Sequence, residues 1–249
     1  MIRFYAPNIA TDPRLPEIES GHCVRVLRHK EGDIIEIVDG KGYLYKCVIA
    51  EARPKSVLCE IAEYAYMPNA WSQNITIAVA PTKNMERMEW MLEKLTEIGI
   101  NKFVPLSCEH SERKNIKIDR LEKIAISAMK QSLKTVMPII DDITPFHQFI
   151  QSIPDSITHR YIAYCNDELY DRQLLVTSIE PNADSVVLIG PEGDFSPQEV
   201  SYAVEKGFLP ISLGPCRLRT ETAAIVAVDT IHIVSFLCNN KHNVNDSQI

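Results

Sequence analysis

The sequence predicts a β-rich N-terminal region built as a small barrel, followed by a larger α/β region with a parallel sheet. Three observations predict it. Residues 1–66 hold short apolar strands separated by close turns, the pattern of a small barrel. From residue 72 strands alternate with helical repeats, the signature of a parallel sheet with crossover helices. Two of the later strand-to-helix junctions carry glycine-containing loops, at residues 190–193 and at 214. The chain has 249 residues, 45% hydrophobic and 24% charged, which excludes a mainly disordered or collagen-like chain.

In the first region residues 33–39 read as a strand, Gly40-Lys41-Gly42 as a turn, and 43–49 as the second arm of a hairpin. Residues 56–61 form a third strand, and Met67-Pro68-Asn69 a linker. The next strand is 75–80. A helix over 87–98 places Met88, Met91, Leu92 and Leu95 on one face, with Gly99 just past its end. Residues 103–106 form a strand, and Asp119 caps a helix through Met129. Residues 160–165 and 185–189 are buried strands. A helix follows Ser196, then a strand over 210–213, then a long helix from Thr220 or Glu221. The spans are 1–68 for the barrel, 72–240 for the α/β domain and 241–249 for a polar, frayed tail.

The net charge of −7 excludes a protein held to nucleic acid by bulk charge, though not a local basic face. Residues 110–134 hold seven Lys or Arg against three acids, whereas 165–199 hold eight acids, Asp167 and Glu168 among them, and one base, Arg172. The seven cysteines are odd in number and lack a CxxC pair, which fits free thiols in a reducing, cytoplasmic compartment. Cys165 and Cys216 read as small buried residues rather than nucleophiles. The seven histidines contain no HxH or HxxxH, so no metal is expected. The apolar stretch 223–237 is interrupted by Asp229 and His232, and no membrane span is expected.

Three segments carry chemistry. Gly190-Pro191-Glu192-Gly193 lies between a strand and a helix whose Ser196, Pro197 and Glu199 spell a capping box. Phe195 and Val200 stand at the staple positions. A loop at the carboxyl end of a parallel strand is where α/β sheets bind ligands, but its spacing matches neither GxGxxG nor a P-loop. The second segment is Gly214-Pro215-Cys216-Arg217-Leu218-Arg219-Thr220-Glu221-Thr222. Thr220 and Glu221 suit the start of a helix, whereas a cation at Arg219 opposes the helix dipole and marks a functional group. The third is His22 to Asp33, where Arg25 and Arg28 lie one helical turn apart and suit a phosphate backbone.

Together these segments resemble the family that methylates N3 of a uridine in 16S ribosomal RNA, within the SPOUT superfamily. The resemblance rests on His22, Val26-Leu27-Arg28 and Gly32-Asp33; on Lys94 through Gly99; on Ser111-Glu112-Arg113; and on Lys130-Gln131-Ser132. Its most specific parts are Leu188 through Gly193 and Leu218 through Ala223. It implies a PUA-like β-barrel that binds RNA, then a SPOUT α/β domain with a C-terminal trefoil knot, S-adenosylmethionine as cofactor, and a homodimer whose active site uses both subunits. The implied cofactor residues are Cys165 and the loop after it, Leu188, Gly190, Pro191, Glu192, Gly193, Leu213, Gly214, Leu218 and Thr222. Arg219 would stabilise the uracil anion, with Glu221, and Glu192 behind it, as orienter or proton acceptor. The implied RNA contacts are His22, Arg25, Arg28, Arg113, Lys114, Arg120, Lys130 and Lys134, on 16S ribosomal RNA or the small ribosomal subunit. The chain departs from the family pattern at Cys216, where a base is common; at Leu133-Lys134, where Gly-Arg is common; and at Asp194, where a second glycine is frequent. Two alternatives stay open: a SPOUT transfer-RNA ribose 2′-O-methyltransferase, and a non-catalytic RNA-binding assembly factor.

Overall fold

The computed structural model describes residues 2–165 and 169–245, with side chains through residue 240. The chain divides into two compact units, the first made of residues 1–70 and 125–137, the second of 71–124 and 138–249. Residues 125–137 were expected in the second domain. Their backbone explains the difference: Thr135 O accepts from Gly42 N, Met137 N donates to Gly40 O, and the Thr135 hydroxyl donates to Met67 O.

In the first unit, β1 (Arg3–Tyr5) leads through α1 (Glu17–Gly21) to β2 (Ile34–Val38), β3 (Tyr43–Arg53) and β4 (Ser56–Tyr66), forming a four-stranded sheet in the order β1-β2-β3-β4. The expected hairpin is β2–β3, and β4 runs five residues past its expected end. Pro13 and Leu15 bond the backbone of Cys59 and Val57 and so cover part of the outer edge of β4. One face is apolar, with Phe4, Ile37, Cys47, Ile49 and Val57 almost fully buried. Burial pushes the Cys23 and Cys47 thiols up to about 11 and the Cys59 thiol to about 12. The helical turn expected around Arg25 is a π-helix, His22–Val26, and Arg28 lies beyond it at φ 60°. Arg25 and Arg28 therefore do not sit one α-helical turn apart.

The second unit begins with β5 (Ile75–Val79), α2 (Met85–Ile98), β6 (Lys102–Ser107) and the first half of α3 (Ile118–Gln131), whose residues from 125 on belong to the first unit. There follow β7 (Ile139–Ile140), β8 (Thr144–Pro145), α4 (Phe146–Ser152), β9 (His159–Ala163), β10 (Gln173–Leu174) and α5 (Leu175–Ser178). It ends with β11 (Ser185–Ile189), α6 (Pro197–Glu205), β12 (Leu209–Ser212) and α7 (Thr220–Asn245). The sheet is wholly parallel, in the order β10-β12-β9-β11-β5-β6-β7, with β8 beside β6. All five residues of β11 are buried, as a central parallel strand with both faces covered requires. Asp119 falls inside the first turn of α3 rather than at its cap. The expected frayed tail is helical through Asn245, because no glycine or proline interrupts 236–245; residues 246–249 lie outside the described residues.

By length and mean hydropathy (1.6) the stretch Thr220–Asn240 would suffice to cross a membrane. It packs on α2, α5, β5 and β11 as a helix of this unit.

Candidate active site

Two loops at the carboxyl ends of β11 and β12 meet at a cleft of about 490 Å³ within the second unit. That size suits a small organic ligand. Each loop is held by specific bonds. The Ser196 hydroxyl accepts from Glu199 N, and the Glu199 carboxylate accepts from Ser196 N at 2.9 Å, so the expected capping box is present. The other Glu199 oxygen accepts from Glu109 N at 2.9 Å. Thr220 opens α7, as expected, and its hydroxyl donates across to Gly190 O at 3.1 Å, tying the start of the helix to the first loop.

Asp194, a departure in the sequence, explains itself here. Its φ of 64° lies in the left-handed region that glycine favours and that Asp tolerates. Its carboxylate accepts from Phe195 N at 2.9 Å and from Cys165 N at 2.8 Å, joining the first loop to the end of β9. Gly190 has a different requirement: a Cβ there would stand 3.1 Å from the Phe195 ring.

Of the expected cofactor residues, Cys165, Gly190, Pro191, Glu192, Leu213, Gly214 and Leu218 line the cleft. Leu188, Gly193 and Thr222 do not. Leu188 points into the core, as the period of two in β11 dictates with Ile189 on the cleft. Gly193 packs against His110. Thr222 is turned away on α7, where Thr220 and Ala223 face the cleft. The loop after Cys165, residues 166–168 with Asp167 and Glu168, lies outside the described residues. Cys165 and Cys216, expected to be buried, are exposed on the cleft wall because both sit in loops beyond strand ends.

Arg219 lines the cleft and is exposed; its carbonyl oxygen accepts from Ala223 N at 2.8 Å, and among the described residues its guanidinium makes no hydrogen bond or ion pair. Glu192 lines it too, but Glu221 is buried beside it, 9% exposed at the side chain. Both carboxylates share one cation that sequence reasoning missed. Arg87 Nη1 lies 3.8 Å from Glu192 Oε1, and Arg87 Nε lies 3.8 Å from Glu221 Oε1. These separations exceed hydrogen-bond reach, so the guanidinium bridges the pair by charge. Arg87 stands in the first turn of α2, where a cation opposes the helix dipole. The signal that singled out Arg219 was present there as well. Tyr164 and Arg172 were also missed; Arg172 donates to Tyr164 O at 2.7 Å in the cleft wall.

The expected RNA contacts do not form one group. In the first unit Arg25 and Arg28 are exposed, and His22 is edge-on to the buried Phe4 ring at 6.3 Å. Lys130, partly buried, is engaged by the Glu19 carboxylate rather than free for a phosphate. Lys134 is half-buried in that unit. In the second unit Lys114 is exposed, Arg113 donates to Lys83 O at 2.7 Å, and Arg120 grips the Glu89 carboxylate with two nitrogens. Among the described residues no group of three or more His, Cys, Asp or Glu is placed to hold a metal.

The pattern of the RNA methyltransferase domain family matches residues 69–232, and that of the RNA methyltransferase PUA domain matches 15–62. A ribosomal RNA small subunit methyltransferase E of Buchnera aphidicola is 30% identical over 230 residues, 86% of this chain and 85% of the relative. The chain belongs to the ribosomal RNA small subunit methyltransferase E family. Among solved structures, a probable rRNA-methyltransferase of Porphyromonas gingivalis is similar at 46% identity and TM-score 0.90, over 95% of this chain and 99% of that one. A family member from Neisseria gonorrhoeae, solved bound to S-adenosyl methionine, is 27% identical with TM-score 0.83, over 94% and 98% of the two chains.

The family's cofactor suits the residues present. Ile189, Ile211, Leu213 and Leu218 offer apolar surface for a base, and a Cβ on Gly214 would stand in open space at a φ of 126° that only glycine holds without strain.

Proposed function

We propose that this chain uses S-adenosylmethionine to methylate N3 of a uridine in 16S ribosomal RNA, as a cytoplasmic enzyme. The observation that carries the reading is the Arg219 guanidinium, unpaired among the described residues, on the wall of a cleft built from two glycine loops. The cofactor, held by the backbone of Gly190, Pro191 and Gly214 and by Leu213 and Leu218, supplies an activated methyl group on a sulfonium. Arg219 donates to a uracil carbonyl oxygen and favours the ring once N3 has lost its proton. Arg87 fixes Glu192 and Glu221, and these orient the nucleoside. Arg25, Arg28 and Lys114 are left to meet phosphates. A trefoil knot belongs to this reading, supported by the non-sequential strand order β10-β12-β9-β11. A homodimer belongs to it as well. Trp90 on α2 and Ile233, Phe236 and Leu237 on α7 are exposed apolar residues that a second copy would cover.

Nucleoside mass spectrometry of small-subunit ribosomal RNA after incubation with protein and cofactor tests the reading. New 3-methyluridine is the expected product. A 2′-O-methylated nucleoside, or cofactor binding without turnover, would transfer the chain to one of the two alternatives. Sedimentation of Phe236→Asp, expected to be monomeric, tests the dimer.

A further inference from the structure

We propose that His110 is the acceptor of the uridine N3 proton, an inference that rests on the N3 reading above. The reaction needs a lone pair beside the cleft, and the three carboxylates that the described residues bring there are engaged. Glu192 and Glu221 face Arg87, and Asp194 accepts two backbone N–H groups. His110 differs. Its Nδ1 lies 3.0 Å from Asp194 O. A carbonyl oxygen only accepts, so Nδ1 carries the proton and the lone pair of the neutral ring is at Nε2. Among the described residues Nε2 has no hydrogen-bond partner. The residue is exposed, and it lies against the first glycine loop: a Cβ on Gly193 would stand 3.3 Å from His110 Cβ.

The other described histidines of this unit are engaged elsewhere, His232 with Gly99 O, His159 with Glu180 and His147 with the Tyr202 ring. The same Asp194 that fixes the ring also lines the cleft, so base and binding loop move as one piece.

In the step, the N3–H bond breaks and an Nε2–H bond forms. The electron pair stays on N3, the site that receives the methyl group. The ring becomes an imidazolium that keeps its Nδ1–H on Asp194 O, and the exposed ring then releases the proton to water. The charged groups around it are the Asp194 carboxylate, turned toward Cys165 and Phe195; Glu109, whose amide is held by Glu199 of α6; and Glu112, paired with Lys83.

Five measurements test the assignment. In His110→Gln, single-turnover methylation of small-subunit ribosomal RNA should fall about 100-fold or more, the usual range for a lost general base. Calorimetric binding of S-adenosylmethionine should stay within about twofold, since His110 lies outside the cleft lining. The wild-type rate should level off with rising pH while that of the variant keeps climbing, as hydroxide takes over. Added imidazole should restore turnover to His110→Gly. Independently of turnover, the ring nitrogen spectrum of the protein alone should show the Nδ1–H tautomer.

Variants within about threefold of wild type would overturn the proposal, as would a loss equal at every pH and not restored by imidazole, or an Nε2–H tautomer. Wild-type protein that forms no 3-methyluridine would instead defeat the underlying reading, and the proposal with it.

Discussion

Arg219 and Leu133 show how single positions divide between chemistry and backbone. Arg219 stands on the cleft wall, its guanidinium without a partner among the described residues. Arg219→Ala should lower turnover by at least about 100-fold, the scale of one lost transition-state donor, with calorimetric cofactor affinity spared. Retained turnover would remove its assigned role. Leu133 sits at φ 56°, half exposed, at the position where the family pattern has glycine. A non-glycine residue there is strained by roughly 1–2 kcal/mol, partly offset by the greater chain entropy of glycine. Leu133→Gly should therefore raise stability by about 0.5–1 kcal/mol, read from the urea midpoint. Arg219 was legible in the sequence because a cation before a helix is out of place. Arg87 broke the same rule inside the first turn of α2 and was passed over, since no glycine loop drew attention to it. That Asp194 clamps Cys165 was not legible, because a hydrogen bond across 29 residues leaves no periodic trace.

At the scale of elements, helix starts were the best-written features. The Ser196 capping box was spelled out in sequence and is present, because its partners are three residues apart. Ser196→Ala should cost about 1 kcal/mol of stability, measured by denaturant titration, and should also weaken cofactor binding, because the loop before α6 would lose its anchor. The long helices and central strands were read within a few residues, since their apolar periods span whole turns. Short elements escaped, β1, β7, β8 and β10 among them, being two or three residues long and specified by neighbours rather than by pattern. Gly99 was read simply as a helix stop. Its φ of 130° fits that, but a Cβ there would also stand 2.4 Å from the Trp71 ring, so Gly99→Ala should cost several times more than a lost stop signal, a difference that thermal melting would register.

For the molecule as a whole, the buried thiols of the first unit set an alkaline limit. Unfolded thiols ionise near 9.0, whereas Cys23 and Cys47 in the fold hold their protons to about 11 and Cys59 to about 12. The unfolded chain therefore binds fewer protons between these values, and stability, complete below pH 9, should fall as pH rises through 11. Denaturant midpoints at pH 8 and 10.5 would show the drop, and Cys59→Ala should reduce it. A pH-independent midpoint would contradict the burial of these thiols. The division into units was only half legible. A linker near residue 70 is visible in composition, whereas the return of residues 125–137 to the first unit is not, because α3 gives no sign of a change of allegiance along its length.

That return has a consequence for synthesis. Glu19 is buried in the first unit, and its cation, Lys130, is encoded 111 residues later. A carboxylate enclosed without its counter-ion is strongly disfavoured. A nascent chain that has delivered only its first 70 residues thus holds an incomplete unit, and the N-terminal part must wait for more than half of the protein to leave the ribosome before it can close.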